Sequence, residues 1–273
     1  MSADRGEETS EARPGAEGRG ATEGAVTAVD GVLLDVDDTV LDTRSAMITG
    51  AEAGVSAVWP ALSAAQAHEV AVAFYQDGGR HFPRFTRGEI DFRTMRHSRL
   101  QHAATSLGLP AVPPDAPEAF EDTFRPVFHD AQHVFDDVRP FLDFCREAGV
   151  PVGALTNSSA AMTADKLAVV GLSFPVVVTR DTLGYGKPAA DVFHHACAQL
   201  GTAPERTVYV GDEYEVDVVG SAAAGLIAVW LKRGDQPDGW GSGPAVHAGV
   251  VRSLEELPRL LLQRNSPFAA RHA

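Results

Sequence analysis

The sequence predicts an α/β fold: a Rossmann-like parallel sheet in a three-layer α/β/α arrangement, with an inserted helical cap domain. Three observations predict it. The apolar run Val32-Leu33-Leu34 is followed at once by Asp35, Val36, Asp37 and Asp38, then resumes at Val40; such a run reads as a buried parallel strand whose C-terminal end carries chemistry. From Val138 onward, helical stretches alternate with strand-like runs, the pattern of right-handed crossovers between parallel strands. Between these parts, residues 44–135 show helical spacing and no convincing strand alternation.

Taken in order, residues 1–28 hold almost no large apolar side chains. Such a stretch buries too little surface to offset its ordering entropy, so a disordered N-terminal tail is expected there. The α/β core is assigned to 29–43 and 136–264, the helical cap to 44–135, and a loose C-terminal tail to 265–273. Within the cap, helices are expected over Ala46–Val58, Ala64–Tyr75, Ile90–Leu107 and Pro117–Phe128, with breaks at Asp77-Gly78-Gly79, Gly108-Leu109-Pro110 and Pro113-Pro114. A helix over Val138–Ala148 closes at Gly149, which tolerates the left-handed conformation. Strands are then expected over Val150–Leu155, Pro175–Thr179, Thr207–Val210 and Ile227–Leu231, separated by helices over Ser158–Val170, Ala189–Leu200 and Val216–Ala224.

Composition narrows the function. With 273 residues the chain is long enough for a sizeable core. Its 44% hydrophobic and 22% charged residues suit a soluble globular protein. A formal net charge of −14 argues against nucleic acid or an anionic membrane as a general partner. The two cysteines, Cys145 and Cys197, fall in helical stretches, which favours unpaired thiols in a reducing setting over a disulfide framework. No apolar run reaches eighteen residues and no apolar leader opens the chain, so a cytoplasmic location is expected.

Ligands bind at the C-terminal ends of strands in open α/β sheets, and four such ends carry reactive residues. The first presents Asp35 and Asp37. The second ends Leu155-Thr156-Asn157-Ser158, a hydroxyl and an amide entering a helix. After the third comes Gly184-Tyr185-Gly186-Lys187-Pro188, with Pro188 expected at the first position of the next helix. The fourth ends Gly211-Asp212-Glu213-Tyr214-Glu215-Val216-Asp217. Each has an ordinary explanation as a turn, an N-cap, a solvated lysine or a helix-dipole partner. Acyl-phosphate chemistry requires all four together. A carboxylate attacks phosphorus, a second carboxyl handles the leaving-group proton, a hydroxyl and an ammonium hold the phosphoryl oxygens, and a hard divalent cation offsets the assembled negative charge.

These four segments, in this order, resemble the motifs of the haloacid dehalogenase (HAD) superfamily of aspartate-nucleophile phosphohydrolases, over about residues 30–260. The resemblance implies Asp35 as nucleophile and Mg²⁺ ligand, and Asp37 as acid/base that lends its backbone carbonyl to the metal. Thr156, with the Asn157 backbone, is implied to bind the phosphoryl group; Lys187 to neutralise it beside Asp35; and Asp212 to complete the metal's protein ligands. Asp217 is implied to orient Lys187 or a metal-bound water. Glu213 departs from the small Ser that many relatives carry. Four carboxylates face one ammonium, so a divalent cation would bring the cluster near neutrality.

A Mg²⁺-dependent phosphomonoester hydrolase acting on a small phosphorylated metabolite is the activity expected. A phosphomutase would keep the same residues; a haloacid dehalogenase would use Asp35 without needing Asp37; a non-catalytic binding protein would not need the intact set. The basic stretch from Arg80 to Arg99 either meets an anionic substrate or, as favoured, forms ion pairs and a solvated face.

Overall fold

The computed structural model describes residues 29–113, 116–234 and 248–264, so both terminal tails of the sequence reading lie outside the described residues. Among these residues, six parallel strands form one sheet: β1 Gly31–Leu34, β2 Val152–Leu155, β3 Val177–Val178, β4 Thr207–Gly211, β5 Ile227–Leu231 and β6 Gly249–Val251, in the spatial order β3-β2-β1-β4-β5-β6. The strand order reverses beside β1, which pairs with β2 through Leu34↔Ala154 and with β4 through Leu34↔Val210. Such a reversal opens a crevice at the strands' C-terminal ends.

The three-layer arrangement follows from the two-residue period of β1. Val32 and Leu34 point into one apolar cluster with Val138, Phe141 and Cys145 of α6 (Val138–Glu147) and Leu257 and Leu261 of α11 (Leu257–Arg264). Leu33 points the other way, into a cluster with Val192, Phe193, Ala196 and Cys197 of α9 (Ala190–Leu200). All four β1 residues are buried, as a central parallel strand requires. The two cysteines are buried and unpaired. No helix of the described residues is long and apolar enough to cross a membrane.

Between β1 and α6 the described residues form five helices: α1 Thr43–Val58, α2 Ala64–Gln76, α3 His81–Thr86, α4 Phe92–Ser106 and α5 Ala116–Asp130. They have their own apolar cluster, apart from those of the sheet. Its spine is Phe120, Phe124 and Phe128, four residues apart on α5, stacked at centroid distances of 5.3 and 5.2 Å. Gly50 and Gly54 let α1 approach that stack. A Cβ on Gly54 would lie 2.6 Å from the Phe120 ring.

Several boundaries differ from the sequence reading for local reasons. The short helix α3 fills what read as a break, and α8 (Arg180–Leu183) and β6 were not anticipated. Val40 N–H and Leu41 N–H both donate to the Val36 carbonyl at 2.9 Å, and Asp38 takes φ 58°, so residues 36–41 form a tight turn. The helix expected over Val216–Ala224 begins as one π-helical turn, Tyr214–Val219, and continues as α10 (Gly220–Ala223). Pro188 is not the first residue of α9. Ala189 N–H bonds the Gly186 carbonyl at 3.2 Å, which closes a separate turn and moves the helix start to Ala190.

Gly54→Val should lower the stability to urea unfolding by about 2 kcal/mol or more, because the methyls have no space beside Phe120. An unchanged midpoint with unchanged slope would contradict this packing.

Candidate active site

Each strand end places its residues by simple local geometry. Asp35 follows β1 directly, and its N–H bonds the Val210 carbonyl at 2.9 Å. Thr156 follows β2, and its N–H bonds the Val178 carbonyl at 2.9 Å, which leaves its hydroxyl at the sheet edge. Ser159 then N-caps the helix α7 (Ala160–Val169) by accepting from Met162 N–H. Lys187 reaches the same edge from the loop before α9, and Asp212 and Asp217 from the loop and π-turn after β4.

Lys187 is the hub. Its buried Nζ donates to Asp35 Oδ1 at 2.6 Å, to Asp217 Oδ1 at 2.7 Å and to the Tyr209 hydroxyl at 2.8 Å. Tyr209 in turn donates to Asp217 Oδ1 at 3.0 Å, and Glu213 N–H donates to Asp217 Oδ2 at 3.0 Å. Gly211 allows this fold-back, since a Cβ there would stand 2.3 Å from Asp217 Oδ2. Burial works against the Lys187 ammonium, but Asp217 and Asp35 more than restore it, and its pKa lies well above the ordinary value.

Asn157 has a use that its sequence reading did not foresee. Its side-chain Oδ1 accepts Lys187 N–H at 2.7 Å and its Nδ2 donates to the Lys187 carbonyl at 3.0 Å, so one amide grips both sides of Lys187's backbone. Gly186 leaves room for it; a Cβ at that position would sit 2.1 Å from Asn157 Oδ1.

Asp35, Asp212 and Asp217 each offer a carboxylate oxygen within 4.8 Å of the others. Burial raises the pKa of Asp35 well above the ordinary carboxylate value, with Lys187 opposing and Asp217 and Asp37 reinforcing. Asp212 is likewise raised by burial and then by Asp38, Asp217 and Asp35. Converging oxygens of this kind could hold a hard divalent cation. Both Asp217 oxygens are already engaged, which suits it to a supporting place behind Asp35 and Asp212.

Asp37 stands apart from that cluster. Its Oδ1 accepts from Thr43 Oγ1 at 2.6 Å and pairs with the Lys166 ammonium; its Oδ2 accepts from Ser158 Oγ at 2.8 Å and Thr156 Oγ1 at 3.5 Å. Burial would raise its pKa, but the Lys166 charge and the bonds from Lys166, Thr43 and Ser158 prevail and hold it at about 2. Its neighbour Asp38 accepts from the Tyr75 hydroxyl at 2.5 Å and from Arg44 N–H at 2.7 Å, and burial pushes it up to about 6 against those bonds.

The structure thus brings Asp35, Asp37, Thr156, Lys187, Asp212 and Asp217 to one edge, with Asn157 bracing Lys187. Sequence reasoning missed Lys166, Thr43, Tyr209 and Tyr75. One signal was available for Lys166: it is the sole basic residue between Ser158 and Val170, and it shares the i, i+3, i+4 face of Thr163 and Leu167. Most of the basic stretch forms ion pairs, as favoured. Arg84 and Arg87 meet Glu89, Arg93 meets Glu118, Arg96 meets Glu121, and Arg99 donates to the Phe74 and Tyr75 carbonyls.

Comparison with known proteins agrees with this architecture. The chain is 31% identical over 143 residues to the phosphoserine phosphatase of Thermus thermophilus, which covers 51% of this chain and 57% of the relative. It is 28% identical over 217 residues to the ribulose-1,5-bisphosphate 5-phosphatase of Halopiger xanaduensis, covering 76% and 86%. The chain spans only about half the length of the first curated relatives it matches, 57% of the Thermus protein and 50% of the glyceraldehyde 3-phosphate phosphatase of Methanopyrus kandleri. Among solved structures, the magnesium-bound HAD-hydrolase YfnB from Bacillus subtilis superposes with a TM-score of 0.69 at 20% identity over 86% of this chain and 99% of that one. An L-2-haloacid dehalogenase superposes with a TM-score of 0.65 at 19% identity over 86% and 99%; both likenesses concern the fold. Residues 29–225, from the first strand through the turn that carries Asp217, match the haloacid dehalogenase-like hydrolase profile, and the chain belongs to that family.

Proposed function

We propose that the protein is a Mg²⁺-dependent phosphomonoester hydrolase that acts on a small phosphorylated metabolite through an aspartyl-phosphate. The observation that carries this reading is the pairing of buried Asp35 with Lys187 at 2.6 Å, beside Thr156 and within the Asp35–Asp212–Asp217 oxygen cluster. Phosphatase relatives support phosphate esters as the substrate class.

In this reading Asp35 attacks phosphorus with the oxygen that Lys187 does not hold. Thr156 Oγ1 and the Lys187 ammonium bind the phosphoryl oxygens as charge spreads over them. Asp35 and Asp212, with the Asp37 carbonyl, would hold Mg²⁺, which when bound supplies charge neutralisation between carboxylate and phosphate. Asp37 gives a proton to the leaving oxygen and then takes one from the water that opens the acyl-phosphate. Asp37 is ionised in the free protein, so the proton for the first step arrives on the substrate's phosphate monoanion and passes to Asp37, whose hold on it the remaining phosphate charge strengthens.

We read the five-helix insertion, residues 44–135, as a cap over this edge. Two contacts support that placement: Tyr75 of α2 bonds Asp38, and the Arg180 guanidinium lies 4.1 Å from the Phe85 ring of α3. Haloacid dehalogenation is the weaker alternative, because that reaction leaves the four donors around Asp37 without a purpose. Release of halide from a 2-haloacid, without phosphate release from any ester, would favour it.

Asp35→Asn should cut turnover of an aryl phosphate by about a thousandfold or more while leaving the melting temperature near wild type. Asp37→Asn should cost about a hundredfold or more, and most for poor leaving groups. Surviving activity in the first variant would remove Asp35 as nucleophile, and an equal loss across leaving groups in the second would remove Asp37 as acid.

Metal linkage has a definite sign. Asp38, at about 6 in the folded state against an ordinary 3.8, contributes stability that is full below the lower value and lost as pH rises through the upper. Asp35 and Asp212 shift in the same direction. Asp37, shifted down, is ionised in both states above pH 5 and adds no slope there. In EDTA the melting midpoint should therefore rise as pH falls from 8 to 6, and Mg²⁺ should raise it more at pH 8 than at pH 6. Equal midpoints with EDTA and Mg²⁺ at pH 8 would count against a metal site.

A further inference from the structure

Lys166 lies on the last turn of α7 with its side chain 4% exposed, among Thr163 and Leu167 on the buried face. A lysine at such a place gives up the hydration of its charge, a cost that an apolar side chain does not carry. Its ammonium bonds Asp37 Oδ1 and approaches Ser158 Oγ at 3.4 Å. Neither partner belongs to the apolar core behind α7.

Both oxygens of Asp37 are reached from the segment that carries α7: Ser158, just ahead of the helix, donates to Oδ2 at 2.8 Å, and Lys166, two turns later, meets Oδ1. Thr43, the first residue of α1, holds Oδ1 from the opposite side at 2.6 Å. Thr43 also opens a helix and Ser158 shapes the loop carrying Thr156, its N–H bonding Thr156 Oγ1 at 3.1 Å. Lys166 has no such second task, and it is the one charged donor of the three.

We propose that Lys166 is a positioning residue for the acid/base: it aims the Asp37 carboxyl toward the leaving oxygen and ties it to the phosphate-binding loop through Ser158. The proposal rests on the phosphatase reading. In the step concerned, the bond from Asp35 oxygen to phosphorus forms, the bond from phosphorus to the leaving oxygen breaks, and the proton that Asp37 has taken up from the substrate's phosphate monoanion passes to that oxygen. Lys166 touches none of the reacting atoms and acts through the direction it gives Asp37.

The test compares the wild type, Lys166→Met and Lys166→Arg in first-turnover measurements with Mg²⁺, using phosphate monoesters graded from a nitrophenyl to a simple alkyl leaving group. Lys166→Met should slow the alkyl ester about 30- to 100-fold, since it depends on the proton. The nitrophenyl ester, whose leaving group departs unaided, should stay within about threefold, with KM within about threefold for both. Lys166→Arg should recover part of the alkyl-ester loss. In an Asp37→Asn background Lys166→Met should add less than about twofold, because the group it aims is already disabled. A uniform loss across leaving groups, or a full additional loss in the Asp37→Asn background, would overturn the proposal and leave Lys166 a structural role. If melts show that Lys166→Met does not fold, Lys166→Arg decides alone, a loss graded with leaving group supporting the proposal and a uniform one overturning it. A wild type that releases phosphate from none of the esters would overturn the phosphatase reading, and this inference with it. Turnover in the wild type with ungraded losses in the variants would overturn only the inference.

Discussion

The ammonium of Lys187, removed from water and shared among Asp35, Asp217 and Tyr209, is the constraint to which the rest of the sheet edge answers. Buried carboxylates this close repel one another and resist ionisation, as the raised values of Asp35 and Asp212 record. One buried cation relieves part of that repulsion and orients two of the acids. Its own position comes from the peptide-like grip of Asn157 and from Gly186, which leaves the amide its space. A charge placed less firmly would return far less of its desolvation cost.

The turn that carries Asp37 and Asp38 is fixed from behind. Arg233, which follows β5, donates from Nε and Nη2 to the Thr39 carbonyl at 3.2 and 2.8 Å, and from both Nη atoms to Asp137 at 2.9 Å. Asp137 is anchored in turn by Ser253 Oγ and Leu254 N–H, both at 2.8 Å. A planar fork suits this double duty where a lysine would not. The two acid clusters are thus held separately: Asp35, Asp212 and Asp217 around Lys187, and Asp37 against Lys166. Asp35 and Asp212 shift up and Asp37 shifts down accordingly. Burial dominates for Asp35 and Asp212, and the Lys166 ion pair with the Thr43 and Ser158 hydroxyls for Asp37.

Two contacts between the helical insertion and the sheet edge are polar or cation–π in kind: Tyr75 on Asp38, and Arg180 against Phe85. The apolar cores on either side are separate. Such a division suits an insertion that meets the edge without sharing its packing.

The sequence by itself determined the parallel sheet, the helical insertion and the order in which acids, hydroxyl and ammonium reach the strand ends, because these follow from hydrophobic period and from short motifs read along the chain. Asp35, Thr156 and Asp212 were legible in that way, each adjacent to its own strand, and Lys187 from the glycine-bearing loop before α9. Tertiary structure decided what the same side chains touch. Lys166 is 129 residues from Asp37 along the chain, Asn157 is 30 from Lys187, and Tyr75 is 37 from Asp38; no local period encodes pairings over such separations. The π-turn that swings Asp217 back over Gly211, the separate turn that takes Pro188 out of α9 and the short strand β6 are likewise products of closure around the sheet. Local propensity proposes where helices and strands run, but burial of distant partners against one another chooses which buried lysine meets which acid.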